Sequence, residues 1–228
     1  MIFDILYQDN DLIVINKPNG ILVHKTEIST DRVFVLQELR NQINQLVFPV
    51  HRLDRPTSGV LLFALSPEAA RILQTQFKEH QVHKTYHAIV RGWLQDEGTL
   101  DYDLDEKECI TNFKLLEKFS FQIPQRGFTE SRYSLVEAKP KTGRFHQIRR
   151  HLSHLRHPIV GDTTHGDGFQ NKLFRNNLDE DCLFLHASSL TFRPPKQEES
   201  ITLNAPWPKS FTSIQEHPLL SLMIKSTT

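Results

Sequence analysis

Cysteine is scarce in this chain of 228 residues, which contains only Cys109 and Cys182. The two thiols are far apart and form no Cys-x-x-Cys pattern, so they exclude a disulfide framework and a four-thiolate zinc site. Thiols used this sparingly are typical of a reducing compartment, where we expect both to be inert side chains.

Long apolar runs are also missing. The unbroken apolar stretches span only a few residues, far fewer than a membrane-spanning helix requires. The opening residues, MIFDILYQDND, carry acidic groups where a signal peptide has a basic and then an apolar segment. Hydrophobic residues make up 38% and charged residues 24% of the chain, which is ordinary for a soluble globular protein. We therefore expect a cytoplasmic protein.

The chain has no net charge, so its overall composition does not indicate a nucleic-acid partner, which would require a local cluster of cations. It has no glycine-rich loop with nucleotide-binding spacing, no Gly-x-Ser-x-Gly and no His-Glu-x-x-His. We therefore expect no nucleotide cofactor and no metal ion, and a metal-dependent hydrolase is the least favoured class of enzyme.

Hydrophobic periodicity predicts an α+β fold with a mainly antiparallel sheet, because strands occur in runs with a few helices between them. Ser66 and Pro67 are typical of a helix start. We expect residues 95–128 to be an irregular insertion. The predicted strands are 13–15, 60–65, 84–91, 130–138, 183–185, 190–192 and 201–203, and the predicted helices cover 31–46, 66–80 and the region around 148–155.

The stretch 50–59, VHRLDRPTSG, contains Asp54, the only carboxylate between Glu38 and Glu68. Cationic neighbours favour the ionised form of a carboxylate, and His51, Arg52 and Arg55 all flank Asp54. An ionised carboxylate on a braced loop is a candidate nucleophile. The alternative is an aspartate that only caps a turn through a salt bridge.

The stretch 139–157 is strongly basic, because no Asp or Glu occurs from Ala138 to Gly161. Such a cluster suits contacts to RNA phosphates, although a solvated helix face is the alternative. Three histidines spaced by three are interleaved with arginines that would repel a divalent cation, so a metal site is disfavoured. The cations are Lys139, Lys141, Arg144, Arg149, Arg150 and Arg156, and the three histidines are His151, His154 and His157.

Five motifs occur in an order that resembles the RluA family of pseudouridine synthases. They are INKPNG (15–20), HRLDRPTSGVLLFAL (51–65), KTYHAIVRG (84–92), KTGRFHQIRRHL (141–152) and HPIVGD (157–162). The resemblance covers about residues 3–205. It implies the pseudouridine synthase fold, a mixed, mostly antiparallel sheet with flanking helices and a central basic cleft. It also implies one catalytic domain over residues 1–228 without an S4-type RNA-binding domain.

The resemblance also implies roles for individual residues. Asp54 matches the catalytic aspartate, and Tyr86 matches the tyrosine that stacks on the target base, although a lone strand tyrosine is usually a packing residue. Arg149 matches the arginine that pairs with that aspartate, Ile148 an aliphatic residue beside the base, and Arg52 the arginine that enters the RNA stack. We also assign five further residues of the two stretches to substrate binding: His51, Arg55, Arg144, Arg150 and Arg156.

Within the family, the resemblance is greatest to members that act on tRNA, which implies isomerisation of the uridine at position 65 in the T stem. A ribosomal RNA substrate is the alternative within the same chemistry, and a catalytically inactive RNA-binding protein is an alternative from another class. The resemblance implies no cofactor and no obligate protein partner. It leaves open whether the aspartate attacks C1′, adds to C6 or removes a ribose proton.

Overall fold

The structure, a computed structural model, describes residues 1–25, 29–95, 97–125 and 127–225. The chain divides into two compact units. The first unit contains Met1–Lys84 and Ala187–Pro206, and the second contains Thr85–His186 and Trp207–Thr228. That both units form one catalytic domain stays a prediction.

The secondary structure alternates strands with a few short helices. In chain order the elements are β1 (Asp4–Gln8), β2 (Leu12–Lys17), α1 (Val35–Ile43), β3 (Phe48–Pro49), β4 (Ser58–Ala64), α2 (Pro67–Lys78), β5 (His83–Arg91), β6 (Glu97–Asp101), β7 (Ile110–Phe121), β8 (Ser131–Pro140), α3 (Gln147–His154), α4 (Gly168–Leu178), β9 (Leu185–Phe192), β10 (Ile201–Asn204), α5 (Lys209–Gln215) and β11 (Leu220–Lys225). The predicted α+β class with a mostly antiparallel sheet is confirmed.

In the first unit the strand order is β1-β2-β4-β9, with β3 on β4 and β10 on β9. Every residue of β4 is buried, which explains why its sequence is a continuous apolar run and not an alternating one. Gly59 has a φ of +112°, and a Cβ atom there would collide with the backbone of Ala187. Only glycine therefore fits at this position, directly after the Asp54 loop.

Helix α2 begins as predicted, because the Ser66 side chain accepts a hydrogen bond of 3.1 Å from the Ala69 backbone N–H and Pro67 follows the cap. Helix α1 is shorter than the predicted 31–46. Val33, which we placed on its apolar face, lies before the helix and is 49% exposed.

In the second unit the strand order is β5-β8-β7-β11, with β6 on β7. The prediction of an irregular insertion at 95–128 is wrong, because β6 and the 12-residue β7 lie within it. The register of β7 against β8 shifts between Leu115 and Glu117. A bulge of this kind breaks the alternation of polar and apolar residues that would otherwise reveal a strand.

The structure differs from the sequence-based prediction at two further elements, both of which bury polar residues. The predicted strand 190–192 is the end of a longer strand, β9, which begins at Leu185 and leaves residues 183 and 184 of the other predicted strand outside it. The buried polar residues His186 and Ser188 interrupted the apolar pattern between the two. Helix α4 was not predicted, since Gln170 and Asn171 occupy its buried side. Within the part of the chain that the structure describes, no helix is long and apolar enough to cross a membrane.

Candidate active site

Asp54 lies on the loop between β3 and β4 of the first unit and is half-buried. The Thr57 backbone N–H donates a hydrogen bond of 3.1 Å to the Asp54 backbone carbonyl, which closes a tight turn that begins at Asp54. A second backbone hydrogen bond, 2.9 Å from the Gly20 N–H to the Arg55 carbonyl, ties this turn to the loop after β2.

Lys17 anchors the same turn from inside the protein. Its side chain is fully buried, and Nζ donates to the carbonyls of Pro18 at 3.0 Å, Arg55 at 3.0 Å and Thr57 at 2.7 Å. Burial lowers the pKa of Lys17 to about 7, and the negative charge of Asp54 acts in the opposite direction. We assigned Lys17 no role from the sequence, although a lysine at the end of an apolar strand was a visible signal.

The three residues predicted to flank Asp54 have different environments. Arg52 is exposed. Arg55 is also exposed, and it donates to the Gly20 carbonyl at 3.1 Å and pairs with Asp31 at 3.0 Å. His51 stacks on Phe77 with ring centroids 4.7 Å apart.

The treatment of His51 as a cation beside Asp54 is wrong. Its Nε2 accepts a hydrogen bond of 3.0 Å from the Leu62 N–H, which requires an unprotonated nitrogen. Burial, with a smaller effect from the Lys84 charge, lowers the pKa of His51 to about 3, so the ring is neutral near pH 7. Its assignment to substrate binding stays a prediction.

The other predicted catalytic residues belong to the second unit. Tyr86 lies in β5 opposite Ala138 of β8 and is half-buried. Ile148 and Arg149 are in the first turn of α3, 6% and 3% exposed respectively. Arg149 and Asp54 are in different units, and their pairing stays a prediction.

Arg149 forms a bidentate ion pair with Asp162. Its Nε lies 2.7 Å from Oδ2 and its second terminal nitrogen 2.8 Å from Oδ1. The backbone N–H groups of Thr164 and His165 each donate to Oδ1 at 2.9 Å. Asp162, which lies in the HPIVGD motif and was given no role, therefore holds Arg149 in a fixed orientation.

These contacts determine the charge of Asp162. Burial raises the pKa of its carboxyl group, but the hydrogen bond from Arg149 and the two backbone N–H groups outweigh it, so the pKa is lowered. The ionised carboxylate therefore neutralises the Arg149 guanidinium in a nearly dry environment.

The basic stretch 139–157 is divided between solvent and protein contacts. Arg156 and Arg144 are exposed, and the Arg144 Nε donates to the Glu108 carbonyl at 3.2 Å. Arg150 pairs with the exposed Asp105 through contacts of 2.8 and 2.9 Å. A phosphate that binds Arg150 through the same two nitrogens therefore competes with this carboxylate.

The histidines of this stretch do not share one helical face. His151 and His154 pack on the Tyr102 ring with centroid distances of 4.5 and 4.3 Å. His157 lies beyond the end of α3, where its Nδ1 is 2.7 Å from the Arg91 carbonyl. In the described ranges, no group of three or more His, Cys, Asp and Glu side chains is arranged to hold a metal ion.

Comparison with known proteins decides the family. A sequence profile described as RNA pseudouridylate synthase matches residues 11–154, a range that includes Asp54, Tyr86 and Arg149. The chain is 48% identical to tRNA pseudouridine synthase C of Vibrio parahaemolyticus serotype O3:K6 (strain RIMD 2210633), over 93% of this chain and 95% of that protein. The chain belongs to the RNA pseudouridylate synthase family.

Other relatives of this pseudouridine synthase agree. The protein named tRNA pseudouridine synthase C of Yersinia pestis is 44% identical over 90% of this chain and 86% of its own length. Two solved human structures are also similar, RNA Pseudouridylate Synthase Domain Containing 1 and Domain Containing 4. The first has a TM-score of 0.74 and 27% identity, and the match covers 91% of this chain and 84% of that chain. The second has a TM-score of 0.72 and 25% identity, and the match covers 96% of this chain and 94% of that chain.

Membership defines the chemistry. A pseudouridine synthase breaks the bond from N1 of uracil to C1′ of the ribose and forms a bond from C5 to C1′ of the same nucleotide. N1 gains a proton and C5 loses one, so the reaction is an isomerisation without electron transfer. The resemblance to the RluA family is confirmed.

Proposed function

We propose that this pseudouridine synthase acts on tRNA and converts the uridine at position 65, in the T stem, to pseudouridine. The observation that carries the proposal is the 48% identity to a tRNA pseudouridine synthase C across 93% of this chain and 95% of that protein. Substitutions at this level, spread over nearly the full length, are compatible with retention of the same RNA substrate. In this proposal the enzyme works in the cytoplasm, as a single catalytic domain, and needs no obligate protein partner.

In the proposed mechanism Asp54 is the nucleophile. Three actions of its ionised carboxylate are compatible with the chemistry: attack at C1′, addition at C6 of the base, or removal of a ribose proton. Each requires the carboxylate to be held on a rigid loop, which the contacts of Lys17 and Thr57 around the Asp54 turn support. Tyr86 is proposed to stack on the detached base and to assist proton removal from C5.

The proposed substrate base is paired, so the enzyme must break a base pair and flip the uridine out, at a cost of a few kcal/mol. Arg52 is exposed, and insertion of its side chain into the vacated place in the stack would recover part of this cost. The exposed cations Arg144 and Arg156 are proposed to bind phosphates nearby. Arg149 is proposed to act on Asp54, with its orientation set by Asp162.

The test is pseudouridine mapping of total RNA from cells with and without the gene, by carbodiimide treatment and primer extension. We expect the stop at tRNA position 65 to vanish in the deletion strain and to return when the gene is restored. If that stop persists and a ribosomal RNA stop vanishes instead, the tRNA assignment is wrong although the chemistry stands. A gene encoding the Asp54→Asn variant serves as the control, because it should fail to restore the stop.

A further inference from the structure

An exposed aromatic pair lies at the start of α3, and neither the proposed catalytic steps nor the phosphate contacts use it. The rings of Phe145 and His146 are stacked, with centroids 3.7 Å apart and planes at 20°. Phe145 is 63% exposed. A single exposed ring is ordinary on a protein surface, so the distinctive feature of Phe145 is that it stacks on a histidine which is itself hydrogen-bonded in place.

The His146 ring is held firmly under Phe145. His146 is the residue before α3, with φ 53° and ψ 28°, a left-handed conformation that is uncommon for a residue with a side chain. Its side chain does not cap the helix. Instead Nδ1 lies 2.9 Å from Nε2 of His165, a hydrogen bond in which one ring donates and the other accepts.

His165 is fixed in turn by the residues that organise Arg149. The His165 backbone N–H donates to Asp162 Oδ1 at 2.9 Å, and its carbonyl accepts a hydrogen bond of 2.7 Å from Ser153 Oγ. Asp162 also carries the ion pair to Arg149. The same carboxylate therefore sets the orientation of a proposed catalytic residue and supports the loop that holds the aromatic pair.

Positive charge surrounds the Phe145–His146 pair and indicates which kind of ligand would bind there. The next residues before it include exposed Arg144 and Lys141, and the sequence contains no acid from Ala138 to Gly161. An apolar protein segment would gain little from one ring flanked by cations. A nucleobase, which stacks on aromatic side chains while its phosphates are bound by cations, matches both features.

We propose that Phe145, stacked on His146 and braced by His165, is a stacking platform for an unpaired base of the RNA substrate. This proposal rests on the proposed function in one respect, that the ligand is RNA. It does not depend on which uridine is modified. Phe145 provides the ring that contacts the base. His146 and His165 are positioning residues that keep this ring in place.

The test compares RNA binding by wild type, Phe145→Ala, Phe145→Tyr and Phe128→Ala, using an unmodified tRNA transcript. Phe128 is the matched control, since it is also 63% exposed and lies in the same unit. Loss of one base stack should weaken binding by roughly five- to a hundred-fold in Phe145→Ala. Phe145→Tyr should bind within about two-fold of wild type, because a stacking ring is kept. Phe128→Ala should bind like wild type.

Two further readouts separate stacking from a general loss of affinity. Phe145→Ala should leave the dependence of log Kd on log salt unchanged, since a stacked base releases no counterion. Phe145→Trp should lose tryptophan fluorescence when RNA is added, whereas Phe128→Trp should not. Melting temperatures of all variants should match wild type, because the substituted rings are exposed.

Unchanged binding by Phe145→Ala, or an equal loss in Phe128→Ala, would overturn the platform. If wild type modifies tRNA and Phe145→Ala binds normally, the platform alone fails. If mapping identifies a different RNA, the proposed function fails on its substrate, and the same variants are compared on that RNA. A loss confined to Phe145→Ala then still supports the platform.

Discussion

The Nζ atom of Lys17 lies 2.7 Å from the carbonyl oxygen of Thr57, three residues after Asp54, and the whole lysine side chain is buried. The same nitrogen also binds the Arg55 carbonyl. The Lys17 ammonium group therefore holds the backbone just after Asp54, through the carbonyls of Arg55 and Thr57. We infer that Lys17 positions the loop that carries the Asp54 carboxylate.

Replacement of Lys17 by Met should lower kcat more than it raises KM. The apolar side chain fills similar space but removes the Lys17 donor from the Pro18 and Thr57 carbonyls, so the loop moves. A displacement of about 1 Å can reduce turnover by roughly 100-fold. Steady-state kinetics on tRNA, scaled to the folded fraction from thermal melting, measures the effect. Lys78→Met, at an exposed position of α2, is the control. A kcat of Lys17→Met equal to that of Lys78→Met would contradict the positioning role.

Lys17 should also make stability depend on pH. Burial lowers its pKa in the folded protein to about 7, whereas the ordinary value is 10.5. Between these values the unfolded chain binds a proton that the folded protein has released, so the free energy of unfolding rises with pH above 7. Lys84, whose pKa burial lowers to about 8, acts in the same direction.

The measurement is urea unfolding at pH 7 and pH 9. The upper limit is pH 9 because burial raises the pKa of the Cys182 thiol from 9.0 to about 11, which offsets part of the lysine contribution above pH 9. Wild type should gain stability across this window, by at most about 1.4 kcal/mol per pH unit for each lysine. Lys17→Met should gain less. An identical slope in the two proteins would show that Lys17 stays fully charged in the folded state.

Replacement of Asp54 by Asn should abolish pseudouridine formation and leave RNA binding intact, since Asn keeps the shape of the side chain and loses its charge. Release of tritium from C5-labelled tRNA measures turnover, and filter binding measures affinity. Asp4→Asn, at an exposed position in β1, is the control and should be fully active. More than a few per cent of wild-type activity in Asp54→Asn would rule out the nucleophile assignment.

The sequence was informative about Asp54 and its surroundings because local rules apply there. The buried run that forms β4 and the cap at Ser66 each produce a pattern within a few residues, and the structure confirms both. The neutral state of His51 does not follow from such a pattern. It depends on the distant Leu62 N–H and Phe77 ring, which only the folded chain brings to it.

Long-range partners account for the other failures. Asp162 follows Arg149 by 13 residues, and nothing local distinguishes it from an acid on a surface loop. Strand β7 was missed because its bulge disrupts the two-residue period and because one of its partners, β11, lies near the other end of the chain. Pairing between segments far apart in the chain is not visible in one sequence without an alignment.

Asp162→Asn should destabilise the protein by about 3–5 kcal/mol, because it leaves the Arg149 guanidinium buried without its counter-charge. The lowered pKa of Asp162 gives a second signature. Its contribution to stability is present above the ordinary value of 3.8 and is lost as pH falls through the lower folded value. Acid unfolding of wild type should therefore be steeper than that of the variant.

The matched control for this ion pair is Asp105→Asn. Asp105 pairs with Arg150 through contacts of 2.8 and 2.9 Å, but its side chain is 69% exposed. Water screens an exposed pair, so its removal should change the midpoint of urea unfolding little. Equal destabilisation by Asp105→Asn and Asp162→Asn would show that burial is not what gives the Arg149 pair its strength.

The exposed ion pair between Arg150 and Asp105 leads to a prediction about RNA binding. Arg156 is exposed, so Arg156→Ala should reduce the slope of log binding constant against log salt by about 0.7–0.9, the value of one phosphate contact. Arg150→Ala should reduce it less, because Asp105 competes with the phosphate for the Arg150 guanidinium and already neutralises its charge. Asp105→Asn should then bind tRNA more tightly than wild type, since the competing carboxylate is gone. Filter binding between about 50 and 200 mM salt measures all three, with Arg175→Ala, outside the basic stretch, as the control. If Arg156→Ala and Arg175→Ala both give the wild-type slope, Arg156 is a solvated cation that contacts no phosphate.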